Sequence, residues 1–433
     1  MRKGLGISLL AALGLGGCSN TEQLAFVGFL LQNTKFGEPY AVTLGIVNPS
    51  GDPLTWSLLE SPAGMTLTGG DIAWMPDYDD LGMHTVRVRA ETADDSDETM
   101  FQVRVHQGLD QGLTLSPRGH TQSSNFADWM DHYQNSGPYG RVLAAHTNWR
   151  DFGDFLGQIP DAAASTALAA DQYGFTPAFG FGWADGDGVP DLLSATEPTN
   201  NTWSNVETRN EYRTMVSNFA QFYQPRYVFL GNEVNTYYLL ASDAEWDDWI
   251  SQYEECYDAI KAVSPDTLVF TTLQLEHLKG LGSTTAGWMD AAHWEIVDDL
   301  ELGGRLDALG FTSYPYFEYD TPADIPADYY DEISTHWTGP VIFTEIAWPA
   351  MPVTPFPGGE LDQAEFPAVF YDRTRLLDLV YVAWLFLHDL DQELMFPGFA
   401  SVGFRDNDGT VVRTSDVAWR AEVTLRQRPD SDL

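Results

Sequence analysis

From about residue 107 onward the chain repeats one pattern. An apolar run of three to six residues is followed by a polar break and then by a stretch with apolar residues at helical spacing. Runs that short and continuous are strands buried on both faces, and their alternation with helices marks a parallel sheet. Eight are read, at 113–115, 141–145, 176–180, 227–230, 268–272, 308–311, 341–344 and 380–384. Helices are expected between them, most clearly over 162–173, 207–223 and 245–263, and also over 325–337 and 366–379. An open doubly wound sheet would carry a glycine-rich phosphate loop after its first strand, and none is present. The expected fold class is therefore α/β, a (β/α)₈ or TIM barrel spanning 107–433.

Residues 22–106 follow a different rule. Runs at 39–44, 54–58, 71–74, 84–89 and 101–105 alternate apolar and polar residues with period two, broken by Gly, Pro and Asp. A small all-β sandwich is expected. The segments Leu54-Thr55-Trp56-Ser57-Leu58, Pro62-Ala63-Gly64-Met65 and Ile72-Ala73-Trp74-Met75-Pro76 resemble the Ig-like, cadherin-like modules of bacterial surface proteins. That resemblance implies a spacer or adhesion unit. Asp77, Asp79 and Asp80 read first as a solvated acidic turn, with calcium ligation the second reading.

Residues 1–17 have the layout of a secretion signal. Arg2 and Lys3 precede an apolar stretch too short to span a bilayer, and Leu15-Gly16-Gly17-Cys18 resembles the bacterial lipobox. The resemblance implies lipidation at Cys18, an exported lipoprotein tethered by its N-terminus, and, with Ser19 rather than Asp next, the outer membrane or cell surface. Cys256 is then alone, and its amphipathic surroundings make it a small core residue rather than a nucleophile.

Charge removes one class of function. With 22 Lys plus Arg against 63 Asp plus Glu, the formal net charge is -41. A nucleic-acid surface needs clustered cations that this chain lacks. The acidic surface suits a saline medium and disfavours polyanionic substrates.

Two carboxylates carry the chemistry. Barrel enzymes work at the C-terminal ends of their strands. Glu233 follows the fourth strand in Leu230-Gly231-Asn232-Glu233, and Glu345 follows the seventh in Phe343-Thr344-Glu345-Ile346. A lone carboxylate after an apolar strand is costly unless paired or functional, and two facing one mouth suit glycoside hydrolysis. Glu276, with His277 beside it after the fifth strand, is the rival carboxylate. No Gly-x-Ser-x-Gly elbow speaks for a Ser hydrolase and no paired-His motif for a metal, and glycoside hydrolysis by two carboxyls needs no cofactor. Asp185-Gly186-Asp187-Gly188 reads as a turn before it reads as a calcium loop.

Gly231-Asn232-Glu233 and Thr344-Glu345 resemble the clan A retaining glycoside hydrolases, and Ser313-Tyr314-Pro315-Tyr316 adds a likeness to the endo-β-1,4-galactanase family. The resemblance implies Glu233 as acid/base, Glu345 as nucleophile, Asn232 on the sugar 2-hydroxyl, Tyr314 on the nucleophile and Trp384 flooring the cleft. His146 and Arg118 are the implied polar helpers. Trp183, Trp348 and Tyr316 are candidate stacking residues, the first two foremost, whereas core packing is at least as good a reading for Tyr316, Trp149, Trp203, Trp288 and Tyr237. The expected function is retaining hydrolysis of a neutral β-linked polysaccharide or oligosaccharide by a monomer. A transglycosylase using the same two Glu, or a non-hydrolytic glycan-binding lipoprotein, stands as the alternative. For the proton balance, Glu345 is expected to stay ionised, helped by Tyr314 and a cation, and Glu233 to be protonated.

Overall fold

The computed structural model describes residues 23–27, 31–116, 126–149, 161–184, 190, 192, 202–300, 302–390 and 396–429. Cys18, Arg118 and the 185–188 segment lie outside them. The chain divides into two compact units at Val105/His106.

The first unit is all-β. Strands Gln32–Lys35, Thr55–Glu60, Gly82–Glu91 and Ser96–His106 form one sheet, and Tyr40–Thr43, Thr66–Thr68 and Asp71–Trp74 form a second, antiparallel one. Period-two alternation sends Val86, Val88, Phe101 and Val103 from the first sheet, and Tyr40, Ile72 and Trp74 from the second, into one core. Asp77 and Asp80 are occupied locally: Asp77 Oδ1 accepts the Asp79 N–H, and Asp80 Oδ2 accepts the Asp77 N–H. These carboxylates cap a turn, as the first reading of the segment expects.

The second unit is a barrel of parallel strands. In order around it stand Asp110–Thr114, Val142–Asn148, Thr176–Gly182, Tyr227–Leu230, the fifth strand, Leu309–Ser313, Val341–Ile346 and Leu379–Trp384. The fifth is broken at Thr271 into Leu268–Phe270, which pairs with strand four, and Thr272–Gln274, which pairs with strand six. Strand one pairs in parallel with strand eight, which closes the ring on that side. At the N-terminal end, buried Asp110 accepts from Tyr227 Oη at 2.6 Å, lies 3.0 Å from Arg226 Nε, and takes Arg428 Nη2 on both oxygens at 2.9 and 3.0 Å. Arg428 also donates its backbone N–H to Leu109 O at 3.0 Å. Two guanidinium groups thus answer one buried charge, which would otherwise be costly.

Helices Asp161–Tyr173, Val206–Tyr223 and Asp243–Val263 lie within a residue or two of expectation. The last begins with a capping box, in which Glu245 Oε2 accepts the Ser242 N–H at 2.9 Å. Two expected helices differ. Of 325–337 only Ile333–His336 is helical, because Pro326 opens a series of turns that carry Tyr329 and Tyr330 into the core. The helix expected over 366–379 runs over Glu360–Arg373 instead, and Leu379 belongs to strand eight.

One irregularity decides what faces the barrel mouth. Phe311 on strand six pairs with Phe343, but its neighbour Thr312 pairs with Glu345, so Thr344 is an extra residue in strand seven. Phe343 lies against Phe370 of the outer helix at 5.0 Å between ring centroids. Strict alternation would send Glu345 the same way, and the bulge turns it inward instead.

Candidate active site

Glu233 stands on a tight turn after strand four. Gly231 has φ of +78°, and a β-carbon there would come within 2.5 Å of Val234 Cγ1 and 2.7 Å of Trp183 Nε1, so only glycine fits. Glu233 itself has φ of +52°, a left-handed conformation that costs a non-glycine residue about 1–2 kcal/mol. Thr272, just past the break in strand five, holds the turn from both sides. Its hydroxyl accepts the Glu233 N–H and donates to Asn232 Oδ1, both at 2.9 Å. The Asn232 amide nitrogen is thereby turned toward exposed space, since Asn232 is exposed at the rim.

Glu345 is 8% exposed and has two donors. Tyr314 gives its hydroxyl to Oε2 in a short hydrogen bond, and His146 Nδ1 lies 3.2 Å from Oε1. Burial pushes His146 down to about 4, so the ring is neutral near pH 7 and reaches Glu345 as an Nδ1–H donor. The ring sits edge-on to Phe229 at 5.0 Å, and Phe229 itself fills the room left by Gly180, where a β-carbon would come within 2.2 Å of it. Among the described residues Glu233 has one side-chain donor, Thr312 Oγ1 at 2.6 Å from Oε1.

Both carboxyls are raised to about 7. Burial is the main cause for each, and for Glu233 the nearby charge of Glu345 adds to it. The structure therefore departs from the expectation that only Glu233 is raised: among the described residues, the neighbour across from Glu345 is a neutral imidazole. The asymmetry survives in the donors. Two bonds favour the anion of Glu345 and one that of Glu233.

A cavity of about 420 Å³ opens beside Glu345, lined in part by Asn232, His146, Trp129, Thr166, Phe386 and Phe399. Trp129, Phe386 and Phe399 are aromatic surfaces that sequence reasoning missed. Phe399 follows strand eight by 15 residues, with no local motif to flag it.

The structure brings Glu233, Glu345, Asn232, Tyr314 and His146 together. It places four other candidates elsewhere. Trp384 is wholly buried and turned toward the helices, where its indole N–H donates to Val402 O at 2.8 Å and its ring packs on Phe404 and Trp419. The cleft residues after strand eight are instead Leu385 and Phe386. Trp183 is buried in an aromatic cluster with Trp203, Tyr237 and Trp249. Trp348 and Tyr316 are fully buried and meet edge to face at 5.9 Å. Trp384, Trp183 and Trp348 meet helix residues Trp419, Trp249 and Phe366, in the hydrophobic layer outside the sheet that large rings fill well. Tyr316 packs among Tyr314, Phe317 and Phe356.

Glu276 is not a free rim carboxylate. It is wholly buried and accepts from Gln274 Nε2 at 2.6 Å, Ser313 Oγ at 2.8 Å, and the Tyr314 N–H and Tyr329 Oη at 2.9 Å each. His277 is stacked on Trp288 and pairs with Asp290 at 2.8 Å. Among the described residues no cluster of three or more His, Cys, Asp or Glu is arranged to hold a metal ion.

The fold is that of the clan A glycoside hydrolases, TIM barrels that cleave glycosidic bonds, and the comparisons support a glycosidase. Residues 208–354, which carry strands four to seven, match the family model of glycosyl hydrolase family 53. No curated protein matches the sequence. Solved structures are similar in fold. The family 53 catalytic domain of Ignisphaera aggregans is 14% identical, with 74% of this chain and 97% of that one covered and a TM-score of 0.52. A family 39 glycoside hydrolase from Bacteroides cellulosilyticus WH2 is 16% identical over 93% and 83%, with a TM-score of 0.52. A GH5_18 protein from Streptomyces cattleya, in complex with GlcNAc, is 15% identical over 74% and 82%, with a TM-score of 0.55.

Proposed function

We propose that the protein hydrolyses a neutral β-linked glycan with retention of configuration, Glu233 serving as acid/base and Glu345 as nucleophile. The observation that carries this is the difference between the two carboxyls. Two neutral donors, Tyr314 and His146, hold Glu345, while Glu233 takes one and feels the charge of its partner. Glu345 attacks the anomeric carbon as Glu233 protonates the leaving oxygen. Glu233, now a carboxylate, then takes a proton from water, which releases the sugar from Glu345. Asn232, its carbonyl held by Thr272, offers its N–H groups to the sugar 2-hydroxyl.

The family 53 match, with the likeness to endo-β-1,4-galactanases, puts β-1,4-galactan first among the substrates to test. The strongly acidic surface favours uncharged chains over polyanionic ones. We also infer export and lipidation at Cys18, with the all-β unit an Ig-like spacer between the membrane and the barrel. The test is a hydrolysis screen on galactan, mannan and glucan with the anomer of the first product read by NMR. The β-anomer, lost in Glu233→Ala and Glu345→Ala, supports the proposal, and an α-anomer from a β-linked substrate overturns retention.

A further inference from the structure

Glu276 is a buried carboxylate that the proposed mechanism does not use. Its whole hydrogen-bonding capacity is spent within the wall between strands five and six. Oε2 takes the Gln274 amide and the backbone N–H of Tyr314, while Oε1 takes the hydroxyls of Ser313 and Tyr329. Removing a carboxylate from water costs several kcal/mol before such bonds are made, so a chain that only needed to fill this space would do as well with an apolar residue. Tyr314 is held at both ends. Its backbone is fixed by Glu276, and its hydroxyl reaches Glu345. Tyr314 is the residue directly after strand six, where the ladder no longer supplies a partner for its N–H, so the carboxylate takes the place of the missing strand neighbour.

We propose that Glu276 is a positioning residue which, by gripping the backbone of Tyr314, sets the reach of the Tyr314 hydroxyl to Glu345. Its bearing on catalysis rests on the reading of Glu345 as nucleophile. A glutamine can keep the grip. Its carbonyl oxygen replaces Oε2, and its amide donates to the Ser313 and Tyr329 hydroxyls, which turn to accept. An aspartate is one methylene short and cannot reach all four partners.

The experiment compares Glu276→Asp, Glu276→Gln, Tyr314→Phe and the Asp/Phe double variant in the full chain. The ionisation midpoint of Glu345 is read by ¹³C-carboxyl NMR, with the signal assigned through Glu345→Gln, and kcat and KM are measured alongside. Tyr314→Phe and Glu276→Asp are each expected to raise the Glu345 midpoint. Each should also lower kcat by roughly 10- to 100-fold while KM changes less than about twofold. Glu276→Gln should stay near the wild type, and the double variant should be no worse than Tyr314→Phe alone. If Glu276→Asp fails to fold, Tyr329→Phe, which frees one side of the carboxylate, gives a smaller shift of the same sign. A wild-type midpoint and kcat in a folded Glu276→Asp, or in Tyr329→Phe where that stands in, overturns the proposal. Midpoints that shift as expected in a protein with no glycan hydrolysis leave the positioning intact and overturn the glycosidase reading instead.

Discussion

Thr312 on strand six is the register partner of Glu345 on strand seven and gives its hydroxyl to Glu233, 2.6 Å away. One residue therefore fixes the stance of Glu233 and marks the point at which strand seven turns Glu345 inward. Thr312→Val keeps the shape and removes the donor. That bond holds Glu233 down, so its loss raises the Glu233 carboxyl further above about 7. The acid must be protonated to act, so the basic limb of the kcat/KM profile should move to higher pH. The acidic limb, set by Glu345, should stay where it is.

The two catalytic assignments separate by chemical rescue. Glu345→Gly with added azide should yield the α-glycosyl azide, because azide attacks from the side the carboxylate has vacated. Glu233→Ala should lose roughly 10²- to 10⁴-fold on a substrate with a poor leaving group and little on an activated aryl glycoside. Product analysis by NMR and rates on the two substrates check both.

The site is also expected to cost stability in a pH-dependent way. Both carboxyls are raised to about 7 in the folded chain from an ordinary value of 4.5, so the folded state binds protons more tightly than the unfolded one. The contribution they make below pH 4.5 is lost as pH rises from there to about 7. Glu233→Gln and Glu345→Gln should each raise Tm at pH 8 by a few degrees and change it little at pH 4. Calorimetry at the two pH values reads this directly.

Much of this was legible in the sequence because buried parallel strands leave an unbroken apolar signature. Glu233 and Glu345 stood out as charges at the ends of such runs. The face of each side chain was harder to read. Trp384 ends its strand as a cleft residue would, yet its ring lies among Phe404 and Trp419, since strand position does not say which way a side chain points once bulges interrupt the alternation. Glu276 stood in the sequence as the rival carboxylate. Only its four partners, drawn from residues up to 53 positions away, show a carboxylate already fully engaged.

That distinction predicts opposite behaviour for two aromatic substitutions. Phe399 lines the cavity and lies 4.8 Å from the Tyr314 ring, so Phe399→Ala should raise KM by roughly 3- to 10-fold at nearly unchanged Tm. Trp384→Leu should lower stability by a few kcal/mol and leave KM alone. Kinetics and thermal melts of the two variants side by side decide between cleft and core.

Gly231→Ala is expected to damage function and fold together. The new methyl meets Val234 and the Trp183 indole nitrogen, and the left-handed backbone adds its own cost of about 1–2 kcal/mol. A lower Tm with a larger loss in kcat than in KM is the outcome, because the turn that moves carries the acid.

The pairing of strand one with strand eight, and the double grip of Arg428 on Asp110, bear on how the molecule is made. The pairing that closes the ring sets Asp110 against Tyr381, and the Arg428–Asp110 contact spans 318 positions, so during synthesis the early strands wait, unclosed, until those late residues arrive. Completion is timed by the latest residues to emerge. The barrel, with its two carboxyls at one mouth, is complete only once strand eight has joined strand one.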